Sequence, residues 1–304
     1  MYNNLKIRSP WAQMALFLGA FGATFFFFAL ALLLIKGGNA AQAPDLGNPQ
    51  VLAGQKFMQA AWTIILFGLP SLVYALASFR EKPLRELGFR PATLTSFYLL
   101  AIVLLAVATP LEGWLGMLNR RIPLPGSLVD LERTTDKQVM AYLKVRSPLD
   151  IVINLLIMAV LPAIFEELCF RGVVQRILIQ AFGHPWGGII VAAALFSAFH
   201  MQFQGFLPRM MLGVLLGVAY WYSGSLWPSI LAHMFYNGIQ VVIASYYPKM
   251  VDDNPSVPAF LGAGSLVLVV GLVGLMRRQS TVTYDKVYGL RTDDLFEFED
   301  KGNS

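Results

Sequence analysis

The sequence predicts an all-α, polytopic integral membrane protein with about eight transmembrane helices. Three observations carry that reading. First, 56% of the 304 residues are hydrophobic and only 13% are charged, against about 25% charged in an average soluble domain. Second, the apolar residues gather near 11–35, 58–79, 97–118, 150–180, 186–203, 208–223, 227–247 and 259–276, mostly close to the ~20 residues a helix needs to cross a bilayer. Third, the runs lack the short alternating pattern of a membrane barrel. A segment in lipid must satisfy its own backbone polar groups, which leaves helix.

The first run follows Lys6 and Arg8 and stays uncharged for 25 residues, from Trp11 to Ile35. Ala41-Gln42-Ala43 mimics a signal-cleavage site. A signal h-region is only about 7–15 residues long, so the run reads as a first crossing, with cleavage the alternative. Lys36 to Lys56 is rich in Gly, Ala, Asn and Pro and reads as a loop. Arg80 to Arg90 is a short charged loop, and Arg120 to Pro148 is the longest internal connection, of mixed charge. The fourth run is apolar to Phe165, turns polar at Glu166 and continues amphipathically to Gly183. Pro162, with no N–H to donate, is expected to kink it one turn before the glutamates. Gly183-His184-Pro185 and Ser223-Gly224-Ser225 read as tight turns, with His184 a loop residue. Gly213 and Gly217 form a small face that lets a neighbouring helix approach. Phe25 to Phe28, Met210, Met211 and Tyr220-Trp221-Tyr222 read as packing, lipid-facing or interfacial residues. From Arg277 onward the chain reads as a polar, solvated and partly disordered tail. The organisation is three segments: 1–148, 149–247 with the polar clusters, and 248–304 with the last crossing and the tail.

Charge and cysteine usage exclude several classes. The net charge of +5 is scattered over loops and ends, and phosphate binding needs a clustered basic face, so nucleic acid is not a partner. Arg80, Lys82, Arg85, Arg90, Arg277 and Arg278 fall on one side of the membrane; Arg120, Arg121, Arg133, Lys137, Lys144 and Arg146 fall on the other. The positive-inside rule therefore assigns no orientation. One cysteine, Cys169, rules out an internal disulfide and a cysteine-rich metal site.

Ionisable groups inside membrane segments are costly and usually face a functional interior. Here they form three clusters: Glu166-Glu167 with Arg171, then His200, then His233 with Asn237, which together hold two of the three histidines. Glu166 lies 18 residues before His184 and His200 lies 16 after it, so in a hairpin both sit roughly 25 Å from the turn. His233, 9 residues past Gly224, reaches roughly 13 Å along the next helix, within about two turns of that depth. Glu167 and Arg171 are four apart and can pair, as can the faces of His233 and Asn237. Glu166 points about 100° away from Glu167, so the two carboxylates have different tasks. A carboxylate with a histidine suits activation of water. A second imidazole and an amide suit a developing oxyanion. Arg171 would neutralise Glu167. The combination reads as a peptide hydrolase without a covalent nucleophile.

Glu166-Glu167-Leu168-Cys169-Phe170-Arg171 matches EExxxR, Phe196 to His200 matches FxxxH, and His233 to Asn237 matches HxxxN. In this order the three motifs resemble those of the CPBP family, which includes type II CAAX prenyl endopeptidases and bacteriocin-processing or self-immunity (Abi) proteins. Gly224-Ser225-Leu226-Trp227-Pro228 is also similar to the family. The resemblance covers about 150–247 and marks 149–247 as the catalytic helices. It implies an intramembrane glutamic endopeptidase: Glu166 and His200 activate water, His233 and Asn237 form the oxyanion site, and Glu167 and Arg171 support them. It implies no cofactor, and membrane lipid and a peptide or protein substrate, prenylated or not, as partners. Two other readings stay open. Glu166, His200 and His233 are the residue types that ligate zinc in a metalloprotease, although no HExxH helix is present. A non-catalytic immunity or scaffold protein would use the same cavity for binding.

Overall fold

A computed structural model describes residues 4–36, 44–248 and 257–289. Among these residues the regular structure is helical, apart from an isolated bridge between Leu5 and Phe79. The helices are α1 (Pro10–Lys36), α2 (Pro49–Ser78), α3 (Ser96–Asn119), α4 (Gly126–Leu143), α5 (Pro148–Phe182), α6 (Pro185–Phe199), α7 (Phe206–Ser223), α8 (Leu226–Tyr246), α9 (Ala259–Gln279) and α10 (Tyr284–Tyr288). Among the described residues, six segments are long and apolar enough to cross a membrane: α1, α2, α3, α5, α7 extended back to Phe203, and α9. Each of the eight apolar runs has become a helix, but α6 is short for a span, with 15 residues. In α8, His233, Asn237 and Gln240 interrupt an otherwise apolar 21-residue helix. The chain is an all-α, multi-pass membrane protein.

Packing divides the bundle. Helices α3, α7, α8 and α9 supply most of one apolar core and α1, α2, α5 and α6 most of another, with α6 packed on α7 between them. Large side chains such as Phe26, Phe27, Leu34, Phe260 and Val267 point outward, as a lipid-facing surface requires. Phe25 and Phe28 also pack edge-on against Trp62.

The hairpins end as the turn chemistry dictates. Gly183 and Gly224 adopt φ +73° and +65° beyond α5 and α7, a left-handed conformation that glycine takes without a Cβ penalty. His184 is more than a loop residue: its Nδ1 accepts from the Gly187 N–H at 3.2 Å and caps α6. Ser225 Oγ caps α8 by accepting from Trp227 N–H. The predicted small face is used closely. A Cβ on Gly213 would lie 3.0 Å from Ala193, and one on Gly217 2.5 Å from Gln175 Oε1.

The local structure corrects or extends four expectations. The loop ending at Lys56 ends earlier, because Asn48 caps α2 and Pro49 opens it. Lys56 is thus in α2, buried, with Nζ donating to Asn154 Oδ1 of α5 at 2.6 Å. The connection 120–148 contains the amphipathic helix α4, whose Tyr142 and Leu143 turn inward while Asp130 and Arg133 stay outside. The expected kink falls at Pro162. Two π-helical stretches, Leu156–Val160 and Leu168–Gln175, flank it within a helix that continues; such widened turns often sit at functional sites. Finally, the tail folds back as α10 and buries Tyr288, while 290–304 lies outside the described residues.

Helices α5 and α6 meet at Gly188, where a Cβ would stand 2.5 Å from the backbone nitrogen of Ile179 and 2.8 Å from its Cα. Neither atom is the end of a flexible side chain. Gly188→Ala is expected to destabilise the protein by about 1–3 kcal/mol, the usual cost of overpacking; an unchanged thermal midpoint would contradict this packing.

Candidate active site

The site begins on α5. Glu167 is fully buried and its Oε1 accepts from Arg171 Nη1 at 2.7 Å, so the pair expected from the four-residue spacing is formed. The same Oε1 lies 2.9 Å from His233 Nδ1 on α8. Arg171 also donates from Nη2 to the Gly213 carbonyl of α7 at 3.1 Å, and its guanidinium lies 4.5 Å from the Phe196 ring centroid of α6. One carboxylate oxygen and one guanidinium thereby tie α5, α6, α7 and α8 together. Four residues further along the same face, Gln175 Nε2 repeats the pattern by donating to the Gly217 carbonyl. The absence of side chains at Gly213 and Gly217 is what exposes those carbonyls.

Glu166 is in a different position. Its carboxylate makes no hydrogen bond to a described residue, and it lines a cavity of about 310 Å³ with His200, Asn237, Gln202, Tyr142 and Pro162. His233, Arg171 and Arg209 lie within its electrostatic reach. Two adjacent residues thus present one carboxylate locked in an ion pair and one facing open volume.

His200 ends α6. Its Nδ1 is 2.8 Å from the Phe196 carbonyl. A carbonyl only accepts, so Nδ1 carries the hydrogen and the neutral ring has its lone pair on Nε2. The same reasoning applies to His233, whose Nδ1 meets a carboxylate. Both rings flank Phe196, at centroid distances of 4.8 Å for His200 and 6.0 Å for His233. Met201, next to His200, holds φ +54°, a strained conformation for a residue with a side chain. The following turn is fixed from two directions. Glu132 of α4 accepts from Phe203 N–H and Gln204 N–H, and Asn119 of α3 donates to the Phe203 carbonyl at 2.7 Å and accepts from Leu207 N–H at 2.8 Å.

Asn237 Nδ2 donates a long hydrogen bond, 3.4 Å, to the Met158 carbonyl. In an α-helix that carbonyl would accept from residue 162, which is proline and has no N–H. Pro162 therefore supplies the acceptor that orients Asn237. His200 and Asn237 both line two further cavities, of about 340 and 620 Å³, and His233 lines the first of these. The clusters from three separate helices meet around this shared volume.

Several lining residues were not singled out from the sequence. Arg209 donates to the Gln202 carbonyl at 3.1 Å and to its side-chain oxygen at 3.0 Å. Gln202 in turn donates to Asp136 of α4 at 3.1 Å. Outside the spans, burial and the neighbouring Glu132 raise the Asp136 carboxyl above its ordinary value. Glu112, hydrogen-bonded to Tyr236, lines the cavity with Gln240. A signal existed: Glu112 is the one charged residue in α3 and Arg209 the one in α7. The Cys169 thiol is buried in the α1–α2–α5 core and takes no part.

Among the described residues, no three His, Cys, Asp or Glu side chains are grouped as a metal ion would require.

A polar, carboxylate- and imidazole-lined volume lies between the apolar helices of an integral membrane protein. Residues 148–239 match the model of the Rce1-like family, type II CAAX prenyl endopeptidase Rce1-like. That stretch spans α5 to most of α8 and holds all three motifs, so this part of the chain is similar to CAAX-type membrane endopeptidases. No curated protein and no solved structure matches it.

Glu167→Ala strands Arg171 and releases His233 at once. The expected loss of stability is about 3–5 kcal/mol, as for one partner removed from a buried pair, read as a lowered thermal midpoint or loss of folded protein. A variant as stable as the parent would mean that the pair does not hold the helices.

Proposed function

We infer that the enzyme hydrolyses a peptide bond near the C-terminus of a substrate or near the membrane boundary, using a water molecule activated by Glu166 and His200. The observation that carries this reading is the contrast between the two glutamates. Glu167 is bound to Arg171 and His233, whereas Glu166 faces a cavity that it shares with His200 and Asn237.

In this scheme Glu166 takes the proton of the attacking water, as a general base. His200, held through Nδ1 to the Phe196 carbonyl, offers the Nε2 lone pair as a second acceptor that orients the water. Attack on the scissile carbonyl breaks its C=O π bond and places negative charge on oxygen. Asn237 Nδ2 donates to that oxygen, exchanging its long contact with Met158 for a stronger one. His233, anchored through Nδ1 to Glu167, has Nε2 as its remaining ring nitrogen and donates when the ring carries both hydrogens. Glu166 then returns the proton to the leaving amine. Enclosure by apolar helices strengthens each of these interactions relative to water. The substrate is a membrane-bound peptide or protein, and a prenyl chain would supply its attachment to lipid.

Cleavage of a quenched fluorescent prenylated CaaX peptide by the purified protein in nanodiscs tests this directly. Glu166→Ala is expected to lower turnover by ~10²–10⁴-fold. Asn237→Ala is expected to lower it by about 10²–10³-fold. Cleavage should survive a chelator; sensitivity to the chelator would favour a metal mechanism. Wild-type turnover by the Glu166 variant would overturn the assignment of the base. Cleavage of the unprenylated peptide at an equal rate would remove the prenyl requirement.

A further inference from the structure

Five residues beyond Arg171, α5 carries a second buried arginine. Arg176 is 2% exposed, and its guanidinium lies 4.3 Å from the Phe79 ring centroid. Unlike Arg171, it has no carboxylate. None of Nε, Nη1 and Nη2 has a hydrogen-bond partner among the described residues.

The guanidinium lines a cavity of about 20 Å³ together with Arg90, Tyr220, Gly224 and Tyr288, and no Asp or Glu lines it. The phenols around Arg176 do not compensate its charge. Tyr74 donates its hydroxyl hydrogen to Gln13 at 2.6 Å, and Tyr220 donates to the Leu87 carbonyl at 3.2 Å. Tyr288 donates to the backbone carbonyl of Arg176 at 2.9 Å. Burial pushes the Tyr288 phenol above its ordinary value, so it is neutral. Arg90 adds a second cation: its Nε is engaged with the Gly224 carbonyl at 2.7 Å, and its terminal nitrogens make no hydrogen bond to a described residue. Glu86 interacts with Tyr220 but lies outside the cavity.

Two guanidinium groups facing one small volume, one of them buried and unpaired, are costly unless an anion joins them. The volume sets the size of that anion. About 10–15 Å³ of such space holds one water-sized sphere, so the cavity admits a monatomic ion but not a tetrahedral oxyanion.

We propose that this cavity is a binding site for a small monovalent anion of the halide class, held by Arg176 with Arg90 beside it. The bound ion joins three parts of the chain that have few other polar links: α5, the connection carrying Arg90, and the closing helix α10 through Tyr288. Because α5 also carries Glu166 and Glu167, the site braces the helix that bears the active-site carboxylates from its far end. The proposal does not depend on the hydrolytic mechanism.

The test is thermal unfolding of the full chain in nanodiscs in sodium chloride, bromide, sulfate and gluconate at one ionic strength. Chloride and bromide are expected to raise the midpoint by roughly 3 °C or more over gluconate, with sulfate giving no such rise. Arg176→Met should abolish the difference. Equal midpoints in all four salts would mean that the cavity holds water only, and an unchanged halide effect in the variant would place the ion elsewhere; either overturns the proposal. If the variant does not fold, anomalous scattering from bromide in crystals of the unaltered protein decides. A peak between Arg176 and Arg90 supports the site, and its absence there overturns it.

Discussion

A single carboxylate oxygen organises the helix packing around the candidate site. Glu167 Oε1 receives Arg171 from its own helix and faces His233 from α8, and Arg171 passes the connection on to α6 and α7. In water such contacts would be exchangeable. Between apolar helices each group has no other partner of comparable strength, so the arrangement is all or nothing. The cost of burying an ion pair is offset by using it to fix four helices at one level. The small face at Gly213 and Gly217 is part of the same device, because only a bare backbone brings its carbonyls within reach of Arg171 and Gln175.

Glu167 holds the helices, whereas Glu166 faces open volume. Their separation follows from the turn of a helix: adjacent side chains diverge by about 100°. Here one projects into the helix interface and the other into a cavity. The irregular backbone around them serves the same end. Pro162 interrupts the α-helical bond to Met158, and the freed carbonyl meets Asn237. Met201 turns the chain sharply after His200, and Glu132 and Asn119 hold that turn from outside the motif. The strain and the orphaned carbonyl therefore lie at the candidate site and are tolerated because neighbouring elements determine them.

The sequence by itself determined the class of fold, since runs of apolar residues near the length of a bilayer leave the backbone no alternative to helix. It also determined the Glu167–Arg171 pair, because a spacing of four is geometry internal to one helix. Signals that depend on local chemistry were legible in part. Asn48-Pro49 marks the true start of α2, and the mixed charges between Arg120 and Pro148 conceal the inward face of α4. Glu112 and Arg209 were visible as lone charges in apolar helices, but nothing in the spacing ties them to the motifs.

Only the tertiary structure decided which partner each polar group takes. The hydrogen bond from His233 to Glu167, the cavity shared by Glu166, His200 and Asn237, and the unpartnered guanidinium of Arg176 all span 60 residues or more, or depend on what fails to arrive. Periodicity places a side chain on a face and at a depth. It does not say which of two adjacent carboxylates meets an imidazole on another helix, because that depends on the rotation and approach of the packed helices, set by glycine contacts and π-helical turns.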